Sequence, residues 1–79
     1  MKRKTLKNLL DELPTSVEVR GEKYYLEITK GKQWGKAFYE IAYITYNRDK
    51  QKIYLFYVED KDIRKCVIKA LNKIKKEVI

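Results

Sequence analysis

The segment Gly31-Lys32-Gln33-Trp34-Gly35-Lys36 holds the chain's only tryptophan between two of its three glycines, and Lys30 lies just ahead of it. An indole in a glycine-hinged basic loop offers a flat face on which an unpaired base can stack, while Lys30, Lys32 and Lys36 stand ready for phosphates. The competing expectation is that Trp34 folds back to cap the end of the core, the commoner fate of a side chain that is highly buried on average. The glycine spacing matches neither the dinucleotide-binding fingerprint nor the P-loop, so no nucleotide-phosphate cradle is predicted.

A second set of candidates is aromatic. Seven tyrosines, two phenylalanines and the tryptophan all fall between Tyr24 and Tyr57. Tyr25, Tyr39, Tyr43, Tyr46, Tyr54 and Tyr57 are more sheet tyrosines than one covering helix can bury, so some must point away from it. Turned outward, Tyr25, Tyr39 and Tyr43 would form a stacking platform of the kind used by sheet-based single-strand binders. Sheet aromatics more often serve packing and cross-strand pairing, and two other covers compete for the second face: the short N-terminal helix, or a second copy of the protein meeting it through Tyr39, Tyr43 and Tyr54.

The third set is cationic. Arg48, Lys50 and Lys52 belong to a turn beside the aromatic strands, and Lys61, Arg64, Lys65, Lys69, Lys73, Lys75 and Lys76 to the last helix. A lysine-rich helix face is ordinarily a solvated face, so the turn is the better candidate for backbone contacts. Ile68, among those lysines, hints at a contact surface, although single exposed apolar residues occur on any protein.

Catalysis has little to stand on. There is no histidine and one cysteine, Cys66, which removes the commonest general base, the usual nitrogen ligands of a metal and any internal disulfide. The carboxylate pairs Asp11-Glu12 and Glu59-Asp60 are sequence neighbours that do not face each other, and capping or solubility accounts for them. A non-enzymatic chain without cofactor or metal is predicted.

The elements that must position these residues follow from periodicity. Leu6, Leu9, Leu10 and Leu13 mark one face of a short helix stopped at Pro14. Lys2, Arg3, Lys4 and Lys7 crowd its start, the wrong end for the macrodipole, so packing must hold it. From Ser16 the period becomes two: Val17 and Val19 oppose Glu18 and Arg20, and Gly21-Glu22 offers a type II′ turn into a strand with Tyr24, Leu26 and Ile28 on one face. Gly31 to Gly35 is read as a loop by its glycines.

Residues 36 to 46 form a strand whose two alternate sets are both apolar, with a bulge as one explanation. Asn47 to Gln51 is a turn, and residues 52 to 58 a last strand, Ile53, Leu55 and Tyr57 opposing Tyr54, Phe56 and Val58. Ile63, Cys66, Val67, Ala70, Leu71, Ile74 and Val78 then follow a helical stripe, with Asp60 as its N-cap. The whole predicts one α+β domain over 1–79: N-terminal helix, antiparallel sheet of three or four strands, and a long C-terminal helix packed on the sheet.

At 44% hydrophobic and 38% charged residues the composition is that of a folding chain, and its net charge of +8 is spread rather than held in one tail. No apolar run approaches the roughly 18 residues of a membrane span, and the first residues lack the apolar core of a signal peptide, which predicts a cytoplasmic protein.

Leu9-Leu10-Asp11-Glu12-Leu13-Pro14 followed by Val17-Glu18-Val19-Arg20-Gly21-Glu22-Lys23-Tyr24-Tyr25-Leu26-Glu27-Ile28 resembles the opening of small proteins carried by bacteriophages and other mobile elements. That resemblance implies a genomic setting more than an activity; such proteins often inhibit host defence or transcription machinery, so the alternative expectation is an inhibitor of that kind, docking on a host protein through its aromatic sheet face or edge strand. The order of elements is also similar to that of double-stranded RNA-binding domains. Asp60-Lys61-Asp62-Ile63-Arg64-Lys65, however, opens with acids where that family carries lysines, and its histidine-bearing loop has no counterpart. The expected partner is thus a nucleic acid, DNA or RNA, with an acidic host protein as the alternative and a homodimer as a further expectation.

Overall fold

The computed structural model describes residues 4–77; Lys2, Arg3 and Val78, read above as helix residues, lie outside them. Helix α1 (Leu6–Asp11) is followed by strands β1 (Ser16–Val19), β2 (Glu22–Gln33), β3 (Lys36–Tyr46) and β4 (Lys52–Asp60), then helix α2 (Ile63–Glu77). The strands form one antiparallel sheet in the order β1-β2-β3-β4, so the α+β class read from the sequence holds, with four strands.

Helix α1 is capped by Thr5, whose hydroxyl accepts the Asn8 N–H at 3.1 Å. With no acid in its first turn it gains nothing from the macrodipole. Packing holds it instead: Leu9 and Leu13 join Cys66, Val67 and Ala70 of α2 in one buried cluster with Val17, Ile41, Tyr43, Phe56 and Val58 of the sheet. The Arg64 guanidinium also donates to the Lys4 carbonyl at 2.6 Å, tying α2 to the start of α1. Both helices therefore share one face of the sheet. The N-terminal helix does not cover the second face, which corrects one of the covers considered above.

Two turns differ from expectation. At the first, Arg20 (φ 54°) and Gly21 (φ 81°) both take positive φ and Val19 pairs with Glu22, so the turn is type I′ at Arg20-Gly21 and not type II′ at Gly21-Glu22. The same form recurs at Trp34 (φ 56°) and Gly35 (φ 77°), closed by Gln33 and Lys36. The Gly31 to Gly35 stretch is consequently no loop: β2 runs through Gly31. That glycine serves a cross-strand contact, because a Cβ there would lie 2.8 Å from Cζ of the Phe38 ring opposite. The ring replaces the missing side chain.

The ambiguous facing of β3 resolves through its neighbours. Tyr39, Ile41 and Tyr43 face the helices with Tyr24, Leu26, Phe56 and Val58, while Glu40, Ala42, Ile44 and Tyr46 face away. The irregularity lies on β4, not β3: Tyr43 pairs with Phe56 and Ile44 with Tyr54, leaving Leu55 as an extra residue. Three positions apart, Tyr54 and Tyr57 would point to opposite faces of a regular strand. The bulge puts both on the open face, rings 5.9 Å apart in an edge-on contact.

At the start of α2, Asp62 accepts the N–H groups of Arg64 and Lys65 at 2.8 and 3.2 Å and is the cap. Asp60, expected in that role, is instead the last residue of β4, accepts the Asp62 N–H at 2.9 Å and pairs with Lys69 at 2.8 Å.

Candidate nucleic-acid interface

Trp34 sits at the very tip of the β2–β3 hairpin and is 93% exposed. It does not fold back over the core. The I′ turn explains this: its two central residues project beyond the last strand pair, Gln33–Lys36. Lys32 and Lys36 flank the tip and are exposed. A shallow depression of about 250 Å³ beneath the indole is lined by Lys36, Phe38 and Lys61, so the β4–α2 connection adds a cation to the tip. Lys30 lies further down the strand, its ammonium 5.9 Å from the centre of the Tyr39 ring.

Beside the tip, the Lys69 ammonium is held by the Asp60 carboxylate at 2.8 Å and the Glu59 carbonyl at 3.2 Å. The shared hydrogen bond raises the Lys69 pKa and, with the Asp62 N–H, lowers that of Asp60. Lys69 is thus a structural cation, whereas among the described residues Lys32, Lys36 and Lys61 make no ion pair.

The second expected basic group occupies the opposite end of the sheet. Asn47 organises the β3–β4 turn by accepting the N–H groups of Asp49 and Gln51 at 2.9 Å each, and Lys50 takes a left-handed φ of 62°. Arg48 and Lys50 project into solvent. Lys52 turns onto the open face and binds Glu27 at 3.1 Å, a hydrogen bond that raises its pKa. The eleven residues of β3 separate the two ends, about 30 Å at about 3.3 Å per residue. The structure therefore gathers Trp34, Lys32 and Lys36, and sets Arg48, Lys50 and Lys52 apart from them.

The tyrosines need correction. Tyr43 is fully buried. Its hydroxyl donates to the Pro14 carbonyl at 2.7 Å, its ring lies 5.3 Å from that of Phe56, and burial pushes its pKa up to about 12. It cannot stack on a ligand. Tyr39 is half-buried on the helix side, so it too leaves the platform, and neither residue can join Tyr54 in a patch for a second copy. Tyr25 remains, exposed on the open face with the Lys23 ammonium 5.6 Å from its ring centre.

Its companions are Tyr54 and Tyr57, flanking Ala42 and Ile44, which the surrounding rings bury. Simple alternation hides this grouping; only the bulge at Leu55 creates it. Lys23, absent from the sequence candidates, was screened by its position in an ordinary-looking strand.

Charge divides the surfaces further. On the open face Lys23, Lys52 and, at its hairpin end, Lys36 stand against Glu18, Glu27, Glu40 and Glu59, with Glu40 directly opposite Glu59. That face carries a net charge of −1, four glutamates against three lysines, on a chain of +8. A polyanion is better served by the hairpin tip than by the tyrosines.

Cys66 is buried with its thiol directed at the Tyr39 and Val58 carbonyls, 3.5 and 3.7 Å away, and burial raises its pKa, so it is an inert core residue. Among the described residues no group of three His, Cys, Asp or Glu side chains is placed to hold a metal, and no helix is long and apolar enough to cross a membrane. No protein-family model matches the chain, and no curated protein or solved structure matches it either.

Proposed function

We propose that the chain is a small non-enzymatic nucleic-acid-binding module that takes a single strand at the β2–β3 hairpin tip. Trp34 stacks on a base, and Lys32, Lys36 and Lys61 meet the phosphates on either side. The observation that carries this reading is the 93% exposure of Trp34 among cations that no carboxylate neutralises. An indole held in water at the end of a hairpin is stabilised by no contact in the core cluster, and a base–indole stack is worth about 1 to 3 kcal/mol. Arg48 and Lys50, about 30 Å away along β3, add long-range attraction and a second contact on a longer strand.

Anisotropy of a labelled single-stranded oligonucleotide tests this. Three phosphate contacts give a log–log salt slope of about −2, at about −0.7 each. Trp34→Ala should weaken binding by about 5- to 150-fold, the range that corresponds to one lost stack. Absence of binding at low salt to any oligonucleotide rejects the reading.

A second reading, a protein-docking inhibitor or accessory factor, is favoured by one observation: the open sheet face is aromatic and acidic, unsuited to a polyanion. Capture from lysate before and after nuclease treatment separates the two. Partners lost with nuclease belong to the first, partners retained to the second.

A further inference from the structure

We infer that the open face of the sheet is covered by the same face of a second copy of this chain, related by a two-fold axis lying across the strands between the rows of Ala42 and Ile44. This does not rest on the nucleic-acid reading, which uses the hairpin tip.

The first support is the patch itself. Tyr25, Tyr54 and Tyr57 are each about half exposed around Ala42 and Ile44. With 150 to 250 Å² per ring, the three leave on the order of 300 Å² of contiguous aromatic surface, a size at which patches commonly mark contact sites. No element of the chain reaches it among the described residues, since both helices lie on the other face.

The second support selects the occupant. The charge on this face changes sign along the strands: the row of Tyr46 holds Lys23, with Glu18 opposite it, and Lys52, a net +1, whereas the row of Glu40 and Glu59, as far from the axis on its other side, carries −2. Rotation about an axis between Ala42 and Ile44 carries the row of residue 46 onto the row of residue 40. It sets Lys52 over the partner's Glu59, Tyr54 over the partner's Tyr57, and Tyr46 beside the partner's Glu40. The face is complementary to itself under this one operation, as an isologous interface requires. It also relieves the Glu40–Glu59 opposition, an arrangement of like charges that is unfavourable in an isolated sheet.

The opposing force is net charge. The operation brings Lys36 toward the partner's Lys50, but these lie at the outer ends, where sheet twist splays two packed faces apart, and charges beyond about 8 Å are largely screened at physiological salt. The interface centre carries no such penalty.

Sedimentation of the full chain near physiological salt tests the inference. A species of twice 9.6 kDa at tens of micromolar is expected. Tyr57→Lys and Glu59→Lys, both at exposed positions, should each weaken association by about tenfold or more. Adding Lys52→Glu and Glu27→Lys to Glu59→Lys keeps the pair within the chain, reverses the pair between chains, and should restore the dimer. Monomer mass throughout that range overturns the inference, as does a dimer indifferent to both single substitutions while circular dichroism shows them folded. A monomer whose oligonucleotide binding is lost in Tyr57→Lys also overturns it, and assigns the face to the nucleic acid.

Discussion

Two tyrosines of one sheet, Tyr43 on β3 and Tyr57 on β4, show how differently its faces are used. Tyr43 has no solvent contact and spends its hydroxyl on the Pro14 carbonyl. Tyr57, next to it in the adjoining row, is 55% exposed and touches Tyr54 edge-on. One face has two helices to satisfy it. The other has only its own side chains, so its aromatic surface is available for association in a way that the core tyrosine is not.

The largest expected effect breaks the buried side of this comparison. Tyr43→Ala should cost about 3 to 5 kcal/mol in urea unfolding, a large share of a small domain's stability, while Tyr57→Ala at dilute protein should stay within about 0.5 kcal/mol. Equal losses would show that the faces are wrongly assigned.

Alkaline titration comes next. The Tyr43 pKa is raised from 10.0 to about 12. Its contribution to stability is therefore complete below pH 10 and is lost as pH rises from 10 toward 12, about 2 to 3 kcal/mol for two pKa units. Tyr43→Phe, at a cost of about 1 kcal/mol for the hydrogen bond, should flatten that part of the unfolding curve. A curve of unchanged steepness would contradict the assigned burial.

Gly31→Ala sharpens the comparison at the end of the open face. Its Cβ would meet Phe38 at 2.8 Å, and overpacking of this kind costs about 1 to 3 kcal/mol. A smaller loss in thermal unfolding would mean that the ring swings aside freely. The smallest effect is expected in acid. Asp60 has a lowered pKa through its bonds with Lys69 and the Asp62 N–H. The stability it lends is present above the ordinary aspartate range and is lost as pH falls through its folded pKa. Asp60→Asn should remove a small part of the acid sensitivity.

Much of this was legible in the sequence because periodicity codes directly for burial. Val17 on β1 and Tyr24 and Leu26 on β2 fall on the core face of the sheet by period two, and Cys66, Val67 and Ala70 on one helix face by period 3.6; Ile28 shares the β2 parity but lies beyond the cover and is 47% exposed. What was not legible depends on backbone offsets that no residue type announces. Leu55 looks like any apolar strand residue, yet as the bulge it reverses the facing of everything before it on β4. Trp34 has the composition of a core cap, and only the positive φ of an I′ turn carries it outward. The candidate site suffered more than the fold for this reason. Tyr39 and Tyr43 were assigned by type to a surface that their strand parity denies them.

The central functional claim is that Trp34 meets a nucleic acid base, and as the chain's only tryptophan it reports on that contact without any label. Its fluorescence should be quenched on titration with a single-stranded oligonucleotide at low salt, and recover as salt is raised, with the slope of about −2 expected for three phosphate contacts. Emission unchanged at saturating oligonucleotide, while a mobility or anisotropy measurement shows the strand bound, would place the contact elsewhere and contradict the account.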